Sequence, residues 1–167
     1  MKKKYFIISL IFLVTFFNAQ AQSDKEQMRR LIKENFELAD KQYRYMATLI
    51  PSDKMPQSYN EKDNKIIAHD IKWWCSGFYA SSLWYIYEQT GNDAIKKEAE
   101  RALEVIKPNQ TYTGNHDLGF MMYCSFGNGY RLTKKEEYKD VIFRSAQSLS
   151  TRYRPSIKSI QSWNGNK

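Results

Sequence analysis

The sequence predicts an all-α protein built from repeated helical hairpins. Apolar residues recur at helical spacing along most of the chain, and no segment strongly favours a strand. Two aromatic-rich segments, each followed by a charged amphipathic one, align with an offset of 42 residues between Gly77-Phe78 and Gly119-Phe120. Pro108 and Pro155, which end the two charged segments, are 47 residues apart. A period of this length is typical of stacked helical hairpins.

The predicted elements follow one another with clear stop signals. An amphipathic helix is expected over residues 23–50, ended by Pro51. Residues 51–70 are polar and contain Pro, Ser and Asn, so we expect a loop there. The helices of the two units are expected at residues 74–90, 93–106, 116–133 and 135–153.

The pattern of polarity predicts how these helices pack. The aromatic helices are apolar almost all round and should be buried side by side, with the charged helices covering them. Such hairpins either stack into an open solenoid or close into an α/α barrel with the aromatic helices inside. In the closed case the starts of the inner helices surround one pocket.

Four side chains fall at equivalent helix starts under this register. Trp74 aligns with the adjacent pair His116 and Asp117, and a third unit would begin near Ser162 and Trp163. Aromatic faces stack on pyranose rings and carboxylates carry out glycosidic chemistry, so this rim suits a sugar site. The same residues also suit ordinary roles, because Asp is a favoured helix N-cap and tryptophans commonly fill cores.

Residues 1–21 are predicted to be a signal peptide. Three lysines precede an apolar run, and Ala19-Gln20-Ala21 provides a small-x-small cleavage site. We expect cleavage after Ala21 and an exported, periplasmic or secreted protein that has no membrane segment once the leader is removed. The mature domain is then residues 22–167.

Charge and composition exclude several classes of partner and cofactor. The formal net charge is +8, of which the leader contributes three lysines, so the mature chain carries about +5. Its basic residues alternate with acidic ones, as on solvated helix faces, so we expect no nucleic-acid partner. With two histidines and two cysteines and no ligand-like spacing, we expect no metal and no cofactor. The apolar surroundings of Cys75 and Cys124 favour buried free thiols, and a disulfide between them is the alternative.

The long run from His116 to Thr133 resembles glycoside hydrolase family 88, the unsaturated glucuronyl hydrolases. The resemblance extends to the segments 74–78 and 82–88, to residues 146–152 and to Ser162-Trp163. The resemblance covers the N-terminal part of the family's domain. It implies an incomplete portion of an (α/α)6 barrel of twelve helices.

The resemblance also implies a reaction and its residues. Family members remove 4,5-unsaturated uronic acid from the non-reducing end of oligosaccharides made by lyases, such as glycosaminoglycan fragments, by hydrating the double bond. Asp117 looks like the first of two catalytic aspartates. His116, Trp74 and Trp163 look like residues that contact the sugar.

The chain departs from the family pattern near its last residues. Asn164 stands where the family usually has Asp, and the second catalytic Asp is expected beyond Lys167. We therefore expect the 167-residue chain to have little or no activity by itself and to associate. The alternative to a hydrolase is a non-catalytic, truncated remnant of such an enzyme.

Overall fold

The computed structural model describes residues 2–165, with side chains described from Gln22 onward. The chain divides into two compact units, Met1–Leu38 and Ala39–Lys167. The first is helical throughout its described part. The elements are α1 (Lys2–Ala47), β1 (Met55–Asn60), β2 (Lys65–His69), α2 (Ser76–Thr90), α3 (Asp93–Ile106), a 3-10 segment (Lys107–Thr111), α4 (Leu118–Met122), a π-helical segment (Tyr123–Gly127), α5 (Asn128–Thr133), α6 (Glu136–Ser150), β3 (Tyr153–Arg154) and β4 (Ser159–Ile160).

The predicted helical-hairpin architecture is confirmed. Helix α2 begins at Ser76 and α4 begins at Leu118, so the two helix starts repeat with the predicted offset of 42 residues. Helix α3 has the predicted bounds, and α4, the π-helical segment and α5 together fill the predicted helix up to Thr133. Gly91 ends α2 in the left-handed conformation (φ 67°), and the Asn92 side chain caps α3 by accepting a hydrogen bond from the Ala94 N–H.

The core lies between α2, α3, α4, the π-helical segment and α6. Its fully buried apolar side chains are Ala80, Leu83, Trp84, Ile95, Ala99, Ala102, Leu103, Ile106, Leu118, Met121, Met122 and Phe126. Helices α2 and α4 approach closely at Gly77, where an added Cβ would lie 2.1 Å from the Met121 carbonyl oxygen. This contact holds the two equivalent helix starts side by side.

The prediction of a loop over residues 51–70 was wrong. Strands β1 and β2 form an antiparallel hairpin whose register runs from Met55 opposite His69 to Asn60 opposite Lys65. The Asn60 side chain accepts hydrogen bonds from the backbone N–H groups of the turn, and Asn64 adopts a positive φ of 50°. Met55, only 2% exposed, anchors the hairpin to the rest of the unit.

The last predicted helix was also too long. Helix α6 ends at Ser150 instead of residue 153, and the chain then forms the short hairpin β3–β4. Tyr153 pairs with Ile160, and Arg154 pairs with Ser159. Because of this reversal, Ser162 and Trp163 return toward the start of α4.

The predicted burial of the aromatic helices holds for only one side of them. Phe78 is 38% exposed and Phe120 is 50% exposed, although their rings touch edge to face with centroids 5.9 Å apart. Helices α3 and α6 cover the opposite side of α2 and α4. Within residues 22–165 the uncovered side forms what we call the aromatic face, made of Trp74, Phe78, Tyr85, Phe120 and Tyr123.

The structure bears differently on the predicted leader and on the two cysteines. The side chains of residues 1–21 lie outside the described ones, so the signal peptide stays a prediction. In the part of the chain that the structure describes, no helix has the length and hydropathy that crossing a bilayer demands. Cys75 and Cys124 are free thiols, and both are half-buried rather than buried.

Candidate functional site

A cleft of about 510 Å³ opens at the starts of α2 and α4. The cleft forms there because equivalent positions precede two neighbouring helices. Trp74 lies two residues before α2, and His116 lies two residues before α4. Hairpin β3–β4 adds a third wall by returning Trp163 to the same place. The lining residues are Lys72, Trp73, Trp74, Asn115, Asp117 and Trp163.

Asp117 is the acidic group of this cleft. It precedes α4, yet its side chain makes no capping hydrogen bond. Its backbone is fixed instead, because the N–H donates to Asn115 Oδ1 over 2.9 Å and the carbonyl accepts from the Met121 N–H over 3.1 Å. The side chain is 14% exposed and lines the cleft. The carboxylate is therefore held in position without being used as a helix cap.

His116 connects Asp117 to Trp163. Its Nε2 lies 3.3 Å from Asp117 Oδ1, and its ring meets the Trp163 ring at 88° with centroids 5.0 Å apart. Nδ1 is buried and has no hydrogen-bond partner among the described groups. His116 thus orients Asp117 on one side and supports an indole on the other.

The segment that carries Trp74 is held by groups outside the cleft. Asn109, which is 2% exposed, donates from Nδ2 to the Ile71 carbonyl oxygen. The Asp70 side chain accepts a hydrogen bond from the Lys72 N–H over 2.7 Å. Trp73 stacks on His69 with centroids 5.2 Å apart, while Trp74 meets Phe78 edge to face. Two neighbouring tryptophans are therefore supported separately.

The cleft combines charges of both signs with aromatic surface. Lys72 contributes an ammonium group, which lies 5.7 Å from the centre of the Tyr112 ring, and Asp117 contributes a carboxylate. Indole faces, an amide and opposite charges suit a sugar that bears an acidic group. No group of three or more potential metal-ligating side chains occurs in the described part of the chain.

Burial raises the pKa of the nearby Cys75 thiol, and also that of Cys124, so both favour the neutral form.

All four residues singled out from the sequence lie together at this cleft. Trp74, Asp117 and Trp163 line it, and His116 contacts the last two. Sequence reasoning missed Lys72, Trp73 and Asn115. Trp73 and Asn115 directly neighbour a selected residue, and Lys72 lies two residues before Trp74. Sequence reasoning also gave no sign of Asn109, because that contact joins positions 38 residues apart in the chain.

Comparisons with known proteins agree with this geometry. No family model matches the chain. An unsaturated glucuronyl hydrolase of Formosa agariphila is 31% identical over the whole of this chain, which covers 43% of that protein. An unsaturated chondroitin disaccharide hydrolase of Streptococcus pyogenes is 31% identical over 61% of this chain, and the match covers 26% of that protein.

Solved structures show the same relationship. The crystal structure of an unsaturated glucuronyl hydrolase specific for heparin superposes with a TM-score of 0.75 and 31% identity, over 81% of this chain and 36% of that one. The enzyme from Bacillus sp. GL1 superposes with a TM-score of 0.62 and 25% identity, over 68% and 30% of the two chains. The chain therefore belongs to the unsaturated glucuronyl hydrolase family and forms part of its (α/α)6 barrel. It spans less than half the length of these relatives.

Proposed function

We propose that this chain contributes the Asp117 side of an unsaturated glucuronyl hydrolase site. The substrate class is an oligosaccharide with 4,5-unsaturated uronic acid at its non-reducing end, as released by polysaccharide lyases. The observation that carries the proposal is the position of Asp117 in one cleft with Trp74 and Trp163. Relatives named for heparin and for glycosaminoglycan degradation support an acidic, glycosaminoglycan-type saccharide.

The proposed reaction is hydration of the vinyl ether in the uronate ring. Asp117 transfers a proton to C4, and water adds to C5 and returns a proton to the Asp117 carboxylate. The resulting hemiketal opens to a C5 ketone and a C1 hemiacetal, and the hemiacetal collapses to the aldehyde and releases the next sugar as the alcohol. His116 keeps the Asp117 carboxyl group aimed into the cleft through the 3.3 Å contact. Trp74 and Trp163 bind the sugar ring, since aromatic faces complement the C–H faces of pyranoses.

A second candidate function is saccharide binding without turnover. Trp163 is 71% exposed and Trp74 is 41% exposed, so bulk water reaches both walls of the cleft. General acid catalysis is favoured where water is excluded and the acid is held against the reacting carbon. The exposed walls therefore favour binding over chemistry in the 167-residue chain.

One experiment on the purified monodisperse chain separates these candidates. Binding of a lyase-generated unsaturated disaccharide is followed by tryptophan fluorescence, and turnover by loss of the ultraviolet absorbance of the conjugated uronate. Asp117→Asn removes the acid and keeps the shape, while the exposed Asp140→Asn on α6 is the matched control.

The outcomes of this experiment are distinct. Turnover that Asp117→Asn reduces by about 10²-fold or more, with Asp140→Asn unchanged, supports the hydrolase. Binding without turnover supports the second candidate. Absence of binding in the wild-type chain and in both variants contradicts both.

We also propose that the protein is exported and processed after Ala21. The support is the sequence of the leader alone, with its lysines, apolar run and small-x-small site. N-terminal sequencing of protein from a periplasmic extract should begin at Gln22. A sequence beginning at Met1 would overturn this proposal.

A further inference from the structure

We propose that Arg152 is a positioning residue, which holds Trp163 against His116 and so sets the width of the cleft. It follows α6, directly before strand β3. In the described part of the chain, none of its side-chain hydrogen bonds goes to Asp117 or to another residue that lines the cleft. Its role in ligand binding rests on the proposed function, whereas its role in placing Trp163 does not.

The guanidinium group of Arg152 joins two walls of the cleft. Nη1 donates to the Thr113 carbonyl oxygen over 2.6 Å, in the loop that leads to His116 and Asp117. Nη2 donates to the Ser162 carbonyl oxygen over 2.6 Å and to Asn164 Oδ1 over 3.2 Å. These last two acceptors flank Trp163 on both sides.

Arg152 forms hydrogen bonds to Gln161 with both its side chain and its backbone. Nε donates to the Gln161 carbonyl oxygen over 3.0 Å, and the Gln161 N–H donates to the Arg152 carbonyl oxygen over 2.9 Å. The Gln161 side chain then donates from Nε2 to the Trp163 carbonyl oxygen over 3.0 Å. The segment that carries Trp163 is therefore fixed at each residue from 161 to 164.

The chemistry of this network requires arginine. Arg152 is 4% exposed, and all four acceptors are neutral carbonyl or amide oxygens. Among the described side chains no carboxylate forms an ion pair with it. A buried cation is costly unless its donors are satisfied, and only the planar guanidinium has donors in enough directions to reach both walls. Lysine has a single nitrogen and reaches one wall at a time.

Loss of Arg152 should change one ring contact of a histidine, the contact between Trp163 and His116. Without Arg152, the 161–164 segment loses its tie to Thr113, and Trp163 leaves its position 5.0 Å from His116. His69 stacks on Trp73, and none of the described hydrogen bonds of Arg152 goes to either residue. The chain has two histidines, so His69 is a built-in reference for His116.

The test follows the two histidine ring cross-peaks by NMR in protein labelled with 13C in the histidine rings. Arg152→Lys is the test variant, and Arg144→Lys, an exposed site on α6, is the matched control. Trp163→Ala shows where the His116 peak lies when the ring contact is gone. We expect Arg152→Lys to move the His116 peak toward that position, to leave His69 in place and to retain the helical circular dichroism.

Two results would overturn the proposal. One is an unchanged His116 peak in folded Arg152→Lys; the other is an equal shift in Arg144→Lys. Should Arg152→Lys unfold, Asn164→Ala decides, because it removes one acceptor and leaves the arginine in place. A smaller His116 shift in the same direction supports the proposal, and no shift overturns it.

A ligand measurement keeps this inference separate from the proposed function. If the wild-type chain binds the unsaturated disaccharide, Arg152→Lys should raise its Kd roughly tenfold, as expected for a misplaced binding wall. Binding that is unchanged despite a moved His116 peak overturns the role in setting the cleft. If the wild-type chain does not bind, the proposed function fails, and the histidine spectra still decide the placement of Trp163.

Discussion

Tyr79 shows how strongly a single side chain is governed by its surroundings in this fold. It is 4% exposed, donates from its hydroxyl to Glu98 Oε1 over 2.8 Å and stacks on Tyr43 with centroids 5.9 Å apart. Burial raises the pKa of Tyr79 far above its usual range, and the negative charge of Glu98 adds to the effect. The phenol therefore stays neutral in the folded protein.

This raised pKa predicts a loss of stability in alkali. The unfolded chain releases the Tyr79 proton near its ordinary pKa of about 10, whereas the folded chain keeps it. Stability from this group is complete below pH about 10 and declines as the pH rises further, since the folded state then binds more protons than the unfolded one. In urea unfolding at increasing alkaline pH, Tyr79→Phe should show a shallower decline than the wild type.

The control for this prediction is Tyr45→Phe, which changes a tyrosine that is 68% exposed. It should leave the alkaline decline as steep as in the wild type. Equal slopes in all three proteins would show that Tyr79 does not govern the decline.

Asn164 gives a second prediction about the effect of a single residue on stability. Its Oδ1 lies 3.2 Å from Arg152 Nη2, so Asn164→Asp supplies the buried guanidinium with a carboxylate. Because residue 164 is exposed, we expect a gain of about 0.5–1 kcal/mol in the free energy of unfolding at pH 7. The new carboxylate should have a lowered pKa, so the gain is present above pH about 4 and is lost as the pH falls further. Urea titrations at neutral and acidic pH measure both; a gain that persists in acid would contradict the ion-pair explanation.

Single residues of the site differ in how far the sequence could reveal them. Asp117 and His116 follow from their position in the repeat and from the family resemblance, and the structure brings them to one cleft with Trp74 and Trp163. Arg152 looks like one more basic residue after a charged helix. Its importance depends on acceptors up to 39 residues away, and such contacts leave no periodic pattern in the sequence.

At the scale of elements, the two glycines of the repeat are equivalent in sequence and different in space. An added Cβ at Gly77 would lie 2.1 Å from the Met121 carbonyl oxygen and 2.5 Å from that of Phe120. At Gly119 an added Cβ would meet no atom within 4 Å. The close approach of α2 and α4 therefore depends on one glycine of the pair.

The two alanine substitutions should accordingly differ in their effect on stability. Gly77→Ala forces the helices apart and should lower the free energy of unfolding by about 3 kcal/mol, because its obstacles are backbone atoms that cannot rotate away. Gly119→Ala should leave stability unchanged or raise it by about 0.5 kcal/mol, since alanine favours helix. Urea unfolding measures both. Comparable losses in the two variants would contradict this packing of α2 against α4.

The elements that the sequence predicted well are those with a strong period. Helix α3 has apolar residues on one face, Asn92 as its N-cap and Pro108 shortly after its end, so its bounds were found from the pattern. The hairpin β1–β2 was missed because its strands are short, contain Pro56 and carry many polar residues. Its pairing depends on turn hydrogen bonds and on the burial of Met55, which local polarity does not reveal.

The aromatic face of α2 and α4 is the largest departure from the predicted packing of the molecule. Its three rings at the helix starts, Trp74, Phe78 and Phe120, contact one another edge to face within 6.5 Å and are each at least 38% exposed. Tyr85 and Tyr123 extend the exposed surface farther along the helices. The apolar character of both helices was predicted correctly, but periodicity alone does not say which faces another element covers.

An exposed aromatic surface of this kind predicts self-association of the purified chain. Contiguous apolar patches are rare on soluble monomers, because bringing two of them together removes apolar area from water. The weight-average sedimentation coefficient should therefore rise with protein concentration. Phe120→Ser should reduce that rise, since it removes the ring that contacts both Trp74 and Phe78. Phe143→Ser on α6 removes a ring that is 60% exposed outside this face and should leave the rise unchanged. A concentration-independent coefficient in the wild-type chain, or equal effects of the two substitutions, would show that the aromatic face does not drive association.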